Sequence, residues 1–82
     1  MFLMQTVWVL DSQWQDQASL RKSEILLKSN QCVFIWPKDI GRRFKDINDM
    51  CVFFKLNEIS QQYILDNTYC GLRGIVKLKQ IK

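Results

Sequence analysis

The run Phe44-Lys45-Asp46-Ile47-Asn48-Asp49-Met50 sets a basic residue, two carboxylates and an amide within five consecutive positions, 45 to 49. It follows, after a short loop, the strand-like segment Cys32-Val33-Phe34-Ile35-Trp36-Pro37. A second strand-like segment, Thr6-Val7-Trp8-Val9-Leu10, runs directly into Asp11. In open α/β sheets, ligands gather beyond the carboxyl ends of the strands. Two apolar strands that each deliver aspartate to that edge predict a divalent-metal or phosphate site. Asp11, Asp46 and Asp49 are its candidate metal ligands, because carboxylate oxygens suit a hard cation such as magnesium. Lys38, Arg42, Arg43 and Lys45 are candidate nucleic-acid contacts, because a basic loop on the same edge can meet phosphates. Each set has a plainer alternative. Asp11 also fits a turn or helix cap, Asp46 or Asp49 fits the cap of a following helix, and the basic loop fits a solvated surface. Gln13 offers a carbonyl oxygen without charge.

The elements that must position these residues follow from pattern. Residues 5–10 are β-branched and aromatic, as a buried strand requires. Asp16 or Ser19 caps a helix that runs to Ser29, its interior rich in good helix formers. The apolar positions of this helix split into Ala18, Ile25 and Leu26 on one face and Leu20 and Leu27 on the other, which predicts two packing neighbours. Cys32–Trp36 is the next strand, stopped by Pro37. Strand, helix and strand make a βαβ unit with parallel strands. A polar, basic loop spans Lys38 to Lys45. A helix follows from Asp46 or Asp49 through Leu56, and a second is capped by Asn57 and ends at Asn67-Thr68. From Gly71 onward, Leu72, Gly74, Val76 and Leu78 alternate with Arg73, Ile75, Lys77 and Lys79, which favours a strand over a helix. The fold class is therefore α/β: a small βαβ-based parallel sheet, then two helices and a short C-terminal strand or helix, all in one domain over residues 1–82.

Composition narrows the function classes. A chain of 82 residues with 48% hydrophobic and 24% charged residues is globular rather than disordered. No apolar run approaches the ~20 residues that span a bilayer, and Met1-Phe2-Leu3-Met4 lacks the basic leader of a signal peptide. A cytoplasmic protein without membrane attachment is expected. The three cysteines, Cys32, Cys51 and Cys70, with no histidine, fit neither a disulfide framework nor a zinc site, so free thiols are expected. A catalytic cysteine would need an activating base, and the chain has no imidazole. The net charge of +4 is compatible with a polyanionic partner. Trp8, Phe34 and Trp36 are expected in the core, and Trp14 at the surface.

Taken together, Val9-Leu10-Asp11-Ser12-Gln13, Val33-Phe34-Ile35-Trp36-Pro37 and Lys45-Asp46-Ile47-Asn48-Asp49-Met50 resemble the later part of a toprim domain. The resemblance is to the DNA primases of large tailed bacteriophages. Asn67-Thr68-Tyr69-Cys70-Gly71-Leu72 followed by Lys77-Leu78-Lys79 resembles the carboxyl-terminal region of those primases. The resemblance implies a partial toprim sheet, magnesium, and RNA primer synthesis on single-stranded DNA from nucleotides. It also implies a replicative helicase, or an upstream primase polypeptide, as partner, and the cytoplasm of the host cell as location. Carried onto this chain, it makes Asp11 a metal-binding aspartate and Asp46, with Asp49, the later acidic element.

Two departures bear on catalysis. Toprim enzymes carry an earlier Glu-Gly element, whereas Glu24 and Glu58 both precede isoleucine in predicted helices. Their strand exit is usually acid-x-acid, whereas here it reads Asp11-Ser12-Gln13. Fewer carboxylates mean weaker magnesium binding. The expected function is thus a primase fragment that does not make primers alone, with no residue assigned a catalytic role. The alternative is a non-catalytic nucleic-acid-binding or oligomerisation module of a replication protein. An uncovered parallel strand edge and a two-faced helix predict a homo-oligomer or association with an upstream chain.

Overall fold

The computed structural model describes residues 2–4, 7–54 and 61–81. Its strands are β1 (Phe2–Met4), β2 (Val7–Val9), β3 (Cys32–Phe34) and β4 (Thr68–Cys70). Its helices are α1 (Gln17–Lys28), α2 (Lys38–Arg43), α3 (Ile47–Phe54), α4 (Gln61–Asp66) and α5 (Gly71–Leu78). The strands lie in the order β1-β2-β3-β4. The β2-α1-β3 unit is present, with Val7 opposite Cys32 and Trp8 opposite Val33 in a parallel pair.

The sheet is mixed, however, and not the parallel sheet expected. β1 runs antiparallel to β2 (Leu3 opposite Trp8), and β4 antiparallel to β3 (Val33 opposite Tyr69). All four described strands are three residues long, and the central two lie within longer apolar runs of the sequence. Both outer edges of the parallel pair are therefore covered, which removes the open parallel edge invoked for oligomerisation.

Side-chain alternation in the two central strands builds a core on each face. Val7, Val9, Phe34 and Trp36 pack with Phe44, Met50 and Ile64 under α2, α3 and α4. Leu10, Val33 and Ile35 pack with Leu27 and Leu78 under α1 and α5. Val33, Phe34 and Trp36 are wholly excluded from solvent, each at 0% exposure. Burial of side chains of this size stabilises by about 1.5–3 kcal/mol each. The result is three layers, helices on both sides of one sheet, as a central parallel pair demands. Phe34 and Trp36 are core as expected, while Trp8 is half-buried against the α1/α5 layer.

Helix α1 starts at Asp16, whose carboxylate accepts from the amides of Ala18 at 2.9 Å and Ser19 at 3.4 Å. Such a cap contributes about 1 kcal/mol. The two packing neighbours expected of this helix are β3 and α5. Both are met from one side of it: Ser19, Ser23 and Leu27 are buried with Leu20 and Leu26 beside them, while Ile25, assigned to the other face, is 60% exposed. Gly74 lets α5 come close to Leu27.

One segment changes type, and one pair of alternatives is decided. Lys38–Arg43 is helix α2 rather than a loop, begun at Pro37, whose carbonyl accepts from Gly41 N–H at 2.7 Å. Residues 71–78 are helix α5, the second of the two expected alternatives, with Gly71, Gly74 and Leu78 buried at three- and four-residue spacing. Leu72 and Val76, which carried the apparent alternation, are 80% and 56% exposed. Gly71 adopts φ 56°, which lets strand β4 turn directly into α5. The helix expected from Asp46 is α3, and the next is α4, closed at Asn67 as anticipated. Its predicted cap Asn57, like Lys55, Leu56 and Glu58, lies outside the described residues.

The cysteines also depart from expectation. Cys32 and Cys70 face one another across β3 and β4 and form a disulfide. Gly71 N–H donates to the Gln31 carbonyl at 3.3 Å, one position beyond the pair. That makes Cys32–Cys70 a non-hydrogen-bonded site, where opposed side chains stand closest. The cysteines are 38 residues apart in sequence, so only the strand register brings them together. Cys51 remains a free, half-buried thiol.

Candidate functional site

The two acidic exits meet through the backbone. Beyond β2, Leu10 is buried, Asp11 half-buried and Ser12 buried. The Ser12 N–H donates to the Lys45 carbonyl at 2.6 Å. This bond ties the residue after Asp11 to the residue before Asp46, beyond the carboxyl ends of the parallel strands. Asp46 caps α3, its carboxylate accepting from Asp49 N–H at 2.8 Å. That fulfils the capping alternative and leaves the second oxygen of Asp46 uncommitted in this bond. Asp49 is exposed in the first turn of α3. Among the described residues, no group of three or more histidine, cysteine, aspartate or glutamate side chains is assembled to hold a metal ion.

The exit loop is rigidly built. Ser12 Oγ donates to the Gly41 carbonyl at 2.6 Å and accepts from Trp14 N–H at 3.2 Å. Gln15 Nε2 reaches the same Gly41 carbonyl at 3.0 Å. The Ser12 carbonyl accepts from the amides of Gln15 and Asp16, closing the turn that leads into α1. Two tryptophans lock the loop to the sheet: Trp14 Nε1 donates to the Trp36 carbonyl at 2.7 Å, and Trp36 Nε1 to the Leu10 carbonyl at 3.0 Å. Trp14 is thus half-buried structure rather than a free surface ring.

Gln13, at the position of the second acid in the toprim pattern, faces inward. Its Nε2 donates to the Phe34 carbonyl at 2.9 Å and to Ser23 Oγ at 3.0 Å, and its Oε1 accepts from Trp36 N–H at 3.1 Å. With its polar atoms so engaged, and the residue 3% exposed, it is a structural bracket and not a ligand facing solvent.

The basic residues sit on and after α2. Lys38 opens the helix, Arg42 and Arg43 close it, and Lys45 follows; all four are exposed. Cations in a last turn complement the helix dipole, which is one structural reason for Arg42 and Arg43. Among the described residues, the ion pair within 4.0 Å is Lys28–Glu24 on α1, so none of the four is neutralised by a carboxylate at that range.

Sequence reasoning passed over an aromatic group beside them. Phe44, Phe53 and Phe54 stand with ring centroids 5.1–5.6 Å apart. The Arg43 guanidinium lies 5.2 Å from the Phe44 centroid and 5.0 Å from that of Phe53. The available signal was a Phe-Phe doublet one turn after Asp49, on a helix whose inward residues are Ile47 and Met50. Burial raises the Tyr63 hydroxyl above its ordinary 10.0, where it packs against the core cluster of Phe34, Trp36 and Phe44. Comparison with known protein families, with curated proteins and with solved structures yields no match.

Proposed function

We propose that the chain is a toprim-like part of a phage-type DNA primase core, which contributes single-strand binding and does not synthesise primers by itself. The observation that carries this reading is the 2.6 Å bond from Ser12 N–H to the Lys45 carbonyl, which brings the Asp11 exit beside the Lys-Asp-Ile-Asn-Asp-Met box. Asp11 and Asp46 are the magnesium ligands of this reading, and Asp49 flanks them on α3. Gln13 limits the charge at the rim, so magnesium binding is weak and a complete site draws its glutamate from an upstream primase polypeptide. A replicative helicase is the partner that the same reading implies.

A second reading, a non-catalytic nucleic-acid-binding module, is favoured by Lys38, Arg42, Arg43 and Lys45, which have no carboxylate partner among the described residues. One experiment separates the two. Single-stranded DNA is titrated at two salt concentrations, with and without magnesium, while manganese-induced NMR line broadening is followed at Asp11 and Asp46. The primase reading expects DNA affinity that falls with salt and joint broadening of both aspartates. Binding without broadening leaves the module alone, and absence of binding removes both readings.

A further inference from the structure

We propose that Phe53 and Phe54, with Arg43 stacked against them, form a base-stacking platform for single-stranded nucleic acid. The inference rests on the nucleic-acid reading above and assigns its contact surface.

Phe53 and Phe54 end α3 at 58% and 44% exposure, and Val52 before them is 70% exposed. Three successive large apolar side chains open to solvent are unusual for a soluble surface and mark a contact site. The rings are also held in place. Phe44, only 6% exposed, lies 5.3 Å from Phe53 and 5.6 Å from Phe54, so a core residue anchors both. Phe53 and Phe54 meet edge to face at 88°, an arrangement that aims their faces in different directions. Arg43 over Phe44 and Phe53 adds a planar cation to the group.

Charge selects the occupant. Arg43 lies against the rings, Arg42 and Lys45 are exposed near it in sequence around Phe44, and among the described residues no carboxylate pairs with the three. Asp49 stands one turn before Phe53, which limits the phosphate path on that side. A second copy docked by a two-fold axis would bring these cations against their own equivalents, an arrangement that like-charge repulsion opposes. A single strand satisfies both features, because its bases present flat faces and its phosphates present negative charge. Duplex DNA keeps its base faces stacked inside and cannot use the rings.

The test is fluorescence anisotropy with labelled oligothymidylate and with a matched duplex, using the whole chain. Both rings are solvent-exposed, so Phe53→Ala/Phe54→Ala is expected to fold, which circular dichroism and the melting temperature check. The double variant is expected to bind the single strand roughly 10- to 100-fold more weakly and to leave duplex binding unchanged. Phe53→Leu/Phe54→Leu keeps apolar bulk without a ring and is expected to lose affinity similarly. Wild-type binding that both double variants retain overturns the platform while the nucleic-acid reading stands. No wild-type binding overturns both. A mass that rises with concentration in the wild type and not in the alanine variant assigns the rings to self-association and overturns the proposal.

Discussion

The carboxamide of Gln13 takes the place of a peptide group opposite Ile35 in the parallel ladder. It donates to the carbonyl of residue 34 and accepts from the amide of residue 36, the pattern by which one residue bridges a parallel neighbour. β2 ends at Val9, so this side chain continues the pairing after the backbone of that strand has left the sheet. The task needs a donor and an acceptor on one planar group. Glutamine supplies both, and a carboxylate supplies acceptors alone.

Gln13→Glu is therefore expected to destabilise the fold by about 2–4 kcal/mol at neutral pH, through the loss of one of two donated hydrogen bonds and the cost of taking up a proton to avoid a buried charge. Burial holds such a glutamic acid protonated in the folded chain, while the unfolded chain ionises it near its ordinary value of about 4.3. The penalty relative to wild type is then smallest below about pH 4 and grows as pH rises above it. Urea denaturation at both ends of this range measures the difference. Equal penalties at low and neutral pH would show that position 13 is not sealed from water.

The Cys32–Cys70 bridge closes a loop across 38 positions and joins strands that are each three residues long. A cross-link over that span contributes about 2–4 kcal/mol. Reduction is expected to lower the melting temperature by roughly 10–30 °C for a domain of this size. Cys32→Ser/Cys70→Ser is expected to melt like the reduced wild type and to be indifferent to reductant. Thiol titration of the unreduced, denatured protein is expected to find Cys51 alone. Three titratable thiols would refute the pairing.

Tyr63 predicts the alkaline limb of stability. Its hydroxyl is raised above 10.0 by burial, so the folded state holds its proton after the unfolded state has begun to lose it. Stability from this group is constant below about pH 10 and falls above it. Against Tyr63→Phe, the wild type is expected to lose melting temperature faster between pH 9 and about 11. Parallel curves for the two proteins would mean that the hydroxyl ionises as readily in the fold as outside it.

How much of this was legible depended on the reach of each signal. β2, α1 and β3 follow from patterned segments: β2 and β3 are three residues long, but the apolar runs Val7–Leu10 and Cys32–Trp36 extend past them. The backbone contact of Ser12 with Lys45 depends on the path of α2 after β3, which no local pattern encodes. β4 has no such run, because Thr68–Cys70 sits between Asn67 and Gly71, and the disulfide depends on β4. α5 was obscured because its buried seam is built from Gly71 and Gly74, which carry no hydropathy, while exposed Leu72 and Val76 imitate a strand. The role of Gln13 required the register of β3, which no local pattern encodes. The Phe53–Phe54 platform was hidden for the opposite reason: phenylalanine in a helix ordinarily reads as core.

The glycine seam supports a final prediction. A Cβ added at Gly74 would stand 2.7 Å from Leu27 Cδ1 and 3.0 Å from its Cγ, closer than side chains tolerate. Leu27 is 2% exposed and cannot swing toward solvent, so α1 and α5 must part. Gly74→Ala is expected to cost about 1–3 kcal/mol by overpacking, despite the better helix propensity of alanine. Leu27→Ala alone opens a cavity and costs about 2–5 kcal/mol. In the double variant the new methyl enters the space Leu27 vacates, so the combined loss is expected to be smaller than the sum. Chemical denaturation of the four proteins measures the coupling. Additive losses would show that α5 does not approach α1 through Gly74, and a Gly74→Ala protein as stable as wild type would place the closest contact elsewhere along the helix.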